Sequence, residues 1–300
     1  MIRRVLLFTA LCPAFAQAQS AACDKACLQG LANQYRAAYV AHKPAQIPVA
    51  SKVRYTENFA EMPFPEGTWD TVTKELGPAL TLTDPVTGNI AIYTATLQND
   101  IPGLLAIRLH VQNQRIDEIE HIISTKRFLS GPPTPIGDPL TYEHDPVINE
   151  VVPMDKRLPR EKLFTHGHGY FNTLQKNTGE IRGTCFMPGA IRRENGQLNT
   201  DIEAGFKSGR YRYNERVRRW PVMVDEEKGV AVMRGFIDHK GVLDEYKLTD
   251  GTPQRSNYHE PQSWGFLEMF KIKNDCIASV VATFIQTPYY LGSPWNPNGN

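Results

Sequence analysis

Hydrophobic and polar residues alternate with two different periods along this chain. Apolar residues recur at helical spacing within residues 28–39 and again within residues 163–174, which predicts two amphipathic helices. Elsewhere they form short apolar runs or alternate with polar residues, as in residues 105–111 and 266–273. Short polar turns such as Asn274-Asp275 separate these runs, a pattern typical of strands joined in hairpins. The chain therefore predicts an α+β protein.

The same order of elements occurs twice. Each half has a helix, then a short strand with a Glu-Asn pair, then several long strands; Glu57-Asn58 aligns with Glu194-Asn195 and Tyr35 with Tyr170. Ordered matches of this kind predict a tandem repeat. A stretch containing seven prolines separates the halves and predicts a stiff connector. The predicted organisation is a signal peptide at residues 1–18, a first unit at 19–128, a connector at 129–160, a second unit at 161–290 and a tail at 291–300.

The first residues have the features of a secretory signal. Arg3 and Arg4 precede an apolar run at residues 5–15, and Ala16-Gln17-Ala18 is a small-x-small cleavage motif. The run is interrupted by Pro13 and is shorter than the roughly 20 residues that span a bilayer. We expect cleavage after Ala18 and export to the periplasm or the medium, with no membrane contact afterwards.

Four cysteines, Cys23, Cys27, Cys185 and Cys276, remain after this cleavage, and an exported chain can pair them as disulfides. Cys23 and Cys27 lie four apart on a predicted helix, where the geometry for a local bridge is poor. A Cys185–Cys276 bridge and long-range bridges from the first helix both stay open. No Cys-x-x-Cys pair with matching histidines occurs, so we expect no zinc site.

The composition of the chain indicates which kinds of molecule it is expected to bind. The chain has 33 basic and 32 acidic residues with no basic stripe, so nothing favours nucleic-acid binding. With 41% hydrophobic residues it can bury full cores. No glycine-rich phosphate loop and no Gly-x-Ser-x-Gly motif is present, so we expect neither cofactor nor metal. A small molecule is the expected partner.

The repeated helix and bent-sheet plan resembles the nuclear transport factor 2-like cone shared by ketosteroid isomerase and SnoaL-type cyclases, and in particular an exported, uncharacterised family of fungi and bacteria with two such units. The motifs that carry this resemblance are Cys23-Asp24-Lys25-Ala26-Cys27-Leu28, Arg54-Tyr55-Thr56-Glu57-Asn58, Arg193-Glu194-Asn195-Gly196, Arg218-Arg219-Trp220-Pro221-Val222, Phe236-Ile237-Asp238-His239 and Pro288-Tyr289-Tyr290-Leu291-Gly292-Ser293-Pro294-Trp295. The resemblance implies two cone-shaped units, each a strongly bent antiparallel sheet packed on N-terminal helices. It implies a deep pocket but no particular reaction.

Asp238 and His239 end an apolar strand and are the first catalytic candidates. A carboxylate and an imidazole at a strand end can serve as general base and acid. Adjacent strand residues point to opposite faces, so one of the two faces a pocket, and we expect this to be His239. The alternative is that both face water.

On the strand at residues 105–111, alternation places Arg108 and His110 on the face opposite the aliphatic residues. That face is either solvent or a cavity wall, where Arg108 could hold a substrate oxyanion. Alternatively, Arg108 and His110 pair with Glu118 and Glu120 on an exposed sheet surface.

The Glu-Asn motifs supply the remaining candidates. Glu57 in a pocket could transfer a proton, with Tyr55 stabilising negative charge; the alternative is a structural role for the motif in both copies. Substrate binding is assigned to Tyr55, Arg108, His110, Trp69, Glu194, Arg193 and Arg218. Trp69 offers a flat face for a ligand or, alternatively, fills the core.

These features favour a cofactor-independent lyase, isomerase or hydratase. It would act outside the cytoplasm on a small apolar, aromatic or carbonyl-bearing molecule, with His239, Asp238 or Glu57 transferring the proton. The alternative is a non-catalytic exported binding protein for a hydrophobic molecule. A third possibility is a structural role, in which the sheets of the two units pack on each other and fill every cavity. We expect a monomer or a homodimer.

Overall fold

The computed structural model describes residues 23–125 and 135–296. The predicted signal peptide at residues 1–18 lies outside the described residues, as do residues 126–134 near the start of the connector and the last four residues of the tail. Within the described ranges, no helix has the length and apolar character needed to span a bilayer.

The described residues of the first half form one α-helix and one six-stranded sheet. Its elements are α1 (Lys25–Val40), β1 (Val49–Glu57), β2 (Ala60–Glu61), β3 (Val72–Asp84), β4 (Asn89–Gln98), β5 (Ile101–Gln112) and β6 (Arg115–Thr125), with short 3-10 helices at Pro44–Gln46 and Gly67–Trp69. The strand order is β2-β1-β6-β5-β4-β3. All neighbouring strands are antiparallel except β1 and β6, which are parallel.

The second half repeats this strand order. Three 3-10 helices (Pro139–Thr141, Pro146–Asn149 and Met154–Lys156) lead to α2 (Arg160–Leu174), β7 (Phe186–Glu194), β8 (Gln197–Asn199), α3 (Ile202–Lys207), β9 (Arg216–Asp225), β10 (Val230–His239), β11 (Glu245–Lys247), β12 (Pro253–Arg255), β13 (Gln262–Lys273) and β14 (Cys276–Pro288). The sheet order is β8-β7-β14-β13-β10-β9, with β7 and β14 parallel, and β11 and β12 form a separate ribbon. The α+β prediction is confirmed, with two six-stranded sheets.

One face of each sheet packs on the helix of its own half. In the first half, Leu28 and Tyr35 of α1 pack on Ile107 and Ile119 of the sheet. In the second half, the core contains Tyr170 and Phe171 of α2 and Phe266 and Phe270 of β13. The helical spacing of the apolar residues therefore places one stripe of each helix against a sheet.

The opposite faces of the two sheets pack on each other. Leu82, Ala106 and Ile122 of the first sheet form one buried cluster with Val232, Leu267 and Met269 of the second. This arrangement corrects the expectation that the second face of β5 is solvent or a cavity wall. Because both faces of each sheet carry apolar residues, each sheet needs a second covering layer, and the other half supplies it.

A buried ion network crosses this interface. Glu120 Oε2 accepts a hydrogen bond from Arg108 Nε at 3.1 Å, and Glu120 Oε1 accepts one from Arg234 Nε at 2.8 Å. Burial alone would raise the pKa of Glu120, but Arg234 and Arg108 outweigh it and lower that pKa. The network links one strand of the second sheet to two strands of the first.

The ring of Trp295, near the end of the described chain, covers this network. It lies 4.5 Å from the Arg108 guanidinium carbon and 4.6 Å from that of Arg54, measured to the ring centroid. Its Nε1 donates to the Thr56 hydroxyl at 3.0 Å. Cation–π contacts and this hydrogen bond attach the last segment of the second half to the first half.

Two disulfides are present, Cys23–Cys27 and Cys185–Cys276. The expectation of poor geometry for a local Cys23–Cys27 bridge is wrong. Helix α1 begins at Lys25, so Cys23 precedes it, and the extended N-cap residue Asp24 lets Cys23 approach Cys27 with a Cα–Cα distance of 5.3 Å. That distance suits a disulfide. Two disulfides fit an exported protein.

Candidate active site

A cavity of about 160 Å³ lies inside the second half, between the sheet and the elements that cover it. Its lining combines six aromatic residues with several polar ones. The aromatic residues are Tyr211, Tyr213, Tyr258, Trp264, Phe266 and Phe284, and the polar ones include Glu194, Asn214, His239 and Glu268. Such a volume is comparable to a protein cavity that holds one benzene molecule.

Strand alternation explains how the lining forms. Along β13, Trp264, Phe266 and Glu268 share one face, and Leu267 and Met269 face the other sheet. Glu268 is paired in register with Ala282 of β14, and Ala282 is paired with Glu194 of β7. The two glutamates are thus separated by one strand and line the same cavity.

Glu268 is the most perturbed carboxyl group in this cavity. Its side chain is 3% exposed, and its Oε1 has no hydrogen-bond partner among the described residues. Burial and the negative charge of Glu194 raise the pKa of Glu268 to about 8, although Arg192 and Tyr170 act in the opposite direction. A carboxyl group in this state holds its proton at neutral pH and can still release it.

Arg192 organises the same end of the cavity. Its Nη1 donates to the Tyr170 hydroxyl at 2.8 Å and its Nη2 to the Tyr211 hydroxyl at 2.7 Å. Nη2 also lies 3.2 Å from Glu194 Oε2. Arg192 is 2% exposed and provides a counter-charge for Glu194, whose side chain is 38% exposed.

His239 lines the cavity nearer the start of β13, where it is paired with Gln262. Its ring stacks on Tyr258 with a centroid distance of 4.0 Å, and Nδ1 has no hydrogen-bond partner among the described residues. Burial lowers the pKa of His239 to about 4. The imidazole is therefore neutral at physiological pH.

Asp238 points to the other side of β10. Its carboxylate accepts hydrogen bonds from Arg218 Nη2 at 2.9 Å and from the Ser263 hydroxyl at 2.6 Å, and Arg216 Nε lies 3.3 Å away. The structure does not bring Asp238 or Arg218 to the cavity that His239 lines. Both belong to a buried ion cluster that Tyr290 covers.

Two of the first-half candidates, Trp69 and Tyr55, are buried in the interior. Trp69 is 2% exposed and donates through Nε1 to the Tyr35 hydroxyl at 3.2 Å, so it fills the core. Tyr55 donates to Glu57 Oε2 at 2.9 Å. The His121 ring is fully buried beneath Glu57, and its Nε2 lies 2.8 Å from the Tyr35 hydroxyl.

The remaining candidates lie apart from the second-half cavity. Arg108 is in the ion network between the sheets, where it also contacts Glu118 at 2.7 Å. His110 pairs with Asp117 rather than with Glu118 or Glu120. Arg193 lies on the face of β7 opposite Arg192 and Glu194. Of the residues predicted for the site, only His239 and Glu194 line this cavity.

Sequence reasoning missed Glu268, Tyr213, Tyr258 and His121. A signal existed for Glu268, because it is the one acidic residue in the run Phe266-Leu267-Glu268-Met269-Phe270 and shares a strand face with Phe266 and Phe270. Tyr213 and Tyr258 come from irregular segments, which carry no such period. Within residues 23–125 and 135–296, no three His, Cys, Asp or Glu side chains are grouped so that they could hold a metal ion.

A family model described as a domain of unknown function, DUF8021, matches residues 156–284, a range that includes Glu194, His239 and Glu268. No curated protein matches the chain. Among solved structures, the chain is similar to the crystal structure of a protein provisionally assigned as a ketosteroid isomerase, from Kribbella flavida DSM 17836. The identity is 15%, the TM-score is 0.27, and the alignment covers 42% of this chain and 95% of that chain. A TM-score this low carries no argument about fold or reaction.

Proposed function

We propose that the second-half cavity is an acid–base active site for a small apolar molecule with a single ring and a carbonyl group, acting without a cofactor as an isomerase, lyase or hydratase. The observation that carries this proposal is Glu268, a buried carboxyl group with a pKa near 8 and an unpartnered Oε1 inside an aromatic cavity. Perturbed carboxyl groups in enclosed cavities are strong candidates for proton transfer.

Glu268 and Glu194 take complementary roles in this mechanism. Protonated Glu268 donates a hydrogen bond to the carbonyl oxygen of the substrate, and the Glu194 carboxylate, held by Arg192, removes a proton from the neighbouring carbon. The resulting enolate is stabilised by Glu268. Glu194 then returns the proton to another carbon of the same molecule, which is an isomerisation, or to a leaving group, which is an elimination.

The aromatic residues and His239 complete the proposed site. Tyr258, Trp264 and Phe284 line its walls and supply apolar surface for the ring of the substrate. Neutral His239 offers the unpartnered Nδ1 to a polar group of the ligand nearer the start of β13. The cavity volume of about 160 Å³ limits the substrate to a single ring.

We also propose that the two halves are tandem copies of one cone-shaped unit, divided as the sequence predicts, and that the protein is exported. The shared strand order of the two sheets supports the first proposal. The charged and apolar pattern of residues 1–18 and the two disulfides support the second. Export is tested by purifying the protein from culture medium or periplasm and measuring its mass. The mass should be that of a chain cleaved after Ala18.

Activity is tested with the mature protein against a panel of single-ring ketones and unsaturated carbonyl compounds, followed by ultraviolet absorbance and product analysis. Glu268→Gln and Glu194→Gln should each lower kcat/KM by about 10²–10⁴-fold. Glu203→Gln in α3, at a side chain that is 45% exposed, is the matched control and should leave the rate unchanged. The rate of the wild-type enzyme should change with pH around a pKa of about 8, and Glu268→Gln should abolish this pH dependence.

Two results would contradict the catalytic proposal. Unchanged turnover in Glu268→Gln would remove Glu268 from the mechanism. Thermal stabilisation by compounds of the panel without conversion would instead support the alternative of an exported binding protein for a hydrophobic molecule.

A further inference from the structure

A second, larger recess lies where the two halves meet. It measures about 600 Å³, within the usual range for small-molecule sites. Glu57, Thr68 and Ser124 of the first half line one side, and Glu260 and Gln286 of the second half line the other. We call this recess the junction cleft. It is distinct from the aromatic cavity, since the two share no lining residue.

Glu57 is fixed at the floor of the junction cleft. Its Oε2 accepts hydrogen bonds from the Thr68 backbone N–H at 2.9 Å and from the Tyr55 hydroxyl at 2.9 Å, and also from the Thr68 hydroxyl. No described residue donates to Oε1. The side chain is 12% exposed, so the carboxylate is held through one oxygen and presents the other to the cleft.

The carboxylate of Glu57 is ionised. Burial raises its pKa, but hydrogen bonds from His121 and Thr68 and the charge of His121 more than compensate, so the pKa of Glu57 is lowered. His121 Nδ1 lies 3.8 Å from Oε2. A ligand in the cleft therefore meets a fixed negative charge.

The rest of the lining indicates the chemistry of the ligand. Glu260 adds a second carboxylate, and the described residues that line the cleft include no lysine or arginine. Most others are hydroxyl or amide residues, and no aromatic ring is found among the lining residues that the structure describes. Ser124 is 1% exposed, lines the cleft, and has an Oγ without a hydrogen-bond partner among the described residues. A buried hydroxyl in this state calls for a polar partner.

We propose that the junction cleft binds a small hydroxylated molecule that carries a protonated amine. The ammonium group contacts Glu57 Oε1 and is attracted by Glu260. The hydroxyl groups of the ligand bond to Ser124 Oγ and to the amide and hydroxyl side chains of the wall. Such a ligand provides a positive charge for the Glu57 carboxylate and a hydrogen-bond partner for the Ser124 hydroxyl. A neutral apolar ligand provides neither, and an anion would be repelled by the carboxylate.

The test uses three sugars of the same ring size that differ in charge. Isothermal titration at pH 7 and low salt compares D-glucosamine, D-glucose and D-glucuronate with the mature protein. We expect glucosamine to bind at least about tenfold more tightly than glucose, with glucuronate weakest. Glucose or glucuronate binding as tightly as glucosamine, or the absence of binding by all three, would overturn the proposal.

Two variants locate the site. Glu57→Gln keeps an oxygen for Thr68 but directs an N–H donor into the cleft, so glucosamine affinity should fall by at least about tenfold. Because Glu57 is also a buried hydrogen-bond acceptor, the exposed residue Glu260 provides a second variant that leaves the interior intact. Glu260→Lys should weaken the binding of glucosamine. Glu245→Lys makes the same charge change at an exposed side chain of β11, remote from the cleft, and should leave glucosamine binding unchanged.

Unchanged glucosamine binding in Glu260→Lys and Glu57→Gln would place the amine elsewhere and refute the proposal. Glu268→Gln should leave glucosamine binding unchanged. The experiments therefore distinguish the two proposals: the aromatic cavity can fail as an active site while the junction cleft still binds the amine, and the reverse.

Discussion

Asn58 and Asn195 make the same hydrogen bond in the two halves of the chain. Asn58 Oδ1 accepts from the Ile123 backbone N–H, and Asn195 Oδ1 accepts from that of Phe284, each at 2.9 Å. Both asparagines have positive φ angles, 51° and 45°. In each half, the asparagine side chain thus links a left-handed turn to the neighbouring parallel strand. This is a structural role for the Glu-Asn motif, which was the alternative to a catalytic one.

Substitution of Asn195 should separate the two contributions. Asn195→Gly accepts the positive φ but loses the hydrogen bonds of the side chain, and should cost about 1–3 kcal/mol of unfolding free energy. Asn195→Ala loses the same bonds and, unlike glycine, keeps a Cβ in the left-handed region without the polar side chain that stabilises asparagine there, so it should cost about 1–2 kcal/mol more. Urea unfolding measures both, and equal losses would show that the backbone conformation is unimportant.

The pH dependence of stability should change in Glu268→Gln. The folded pKa of Glu268 is raised from 4.5 to about 8, so its stabilising contribution is complete below pH 4.5 and is lost as the pH rises through 8. The stability of the variant relative to wild type should rise by up to about 1.4 kcal/mol per pH unit across this window. Urea unfolding between pH 5 and 8 tests this, with Glu203→Gln as control. Parallel curves would contradict the raised pKa.

Removal of the Glu120 charge should be strongly destabilising. Glu120→Gln leaves the buried guanidinium groups of Arg108 and Arg234 without their shared anion, at a cost of about 3–5 kcal/mol. Glu118 also contacts Arg108 but is 36% exposed, so Glu118→Gln should cost no more than about 1 kcal/mol. Similar losses in the two variants, measured by denaturant unfolding, would show that burial does not govern this network.

The two disulfides should contribute unequally to stability. Cys185 and Cys276 are 91 residues apart, and Cys23 and Cys27 only 4. Since closing a longer loop removes more entropy from the unfolded chain, Cys185→Ser with Cys276→Ser should cost about 4 kcal/mol, against about 2 kcal/mol for the local pair. Thermal and urea unfolding of the two double variants compare them. A larger loss for the local pair would refute the loop-length argument.

Strand periodicity predicted the orientation of some site residues. Alternation along β10 required Asp238 and His239 to point in opposite directions, and the structure has His239 in the cavity and Asp238 in an ion cluster. The same rule placed Ala106 and Arg108 of β5 on one face. Both predictions depend only on the alternation of side chains along a single strand, so they require no knowledge of what packs against it.

Contacts between distant segments could not be predicted in this way. The second face of β5 is covered by the other sheet, and periodicity does not say what covers a face. The local disulfide depended on the start of α1 at Lys25, and helix boundaries are poorly determined by periodicity. Glu268 could have been identified from its place in an aromatic strand, but Tyr213 and Tyr258 approach it only through tertiary folding.

The position of Trp295 has a consequence for the order of events during synthesis. Its ring covers Arg54 and Arg108, yet it leaves the ribosome long after both of them. Until the second sheet and Trp295 have been made, the layer that covers the apolar face of the first sheet and the ring that covers its guanidinium groups are both missing. Only when the last segment docks does the first half acquire its finished surface.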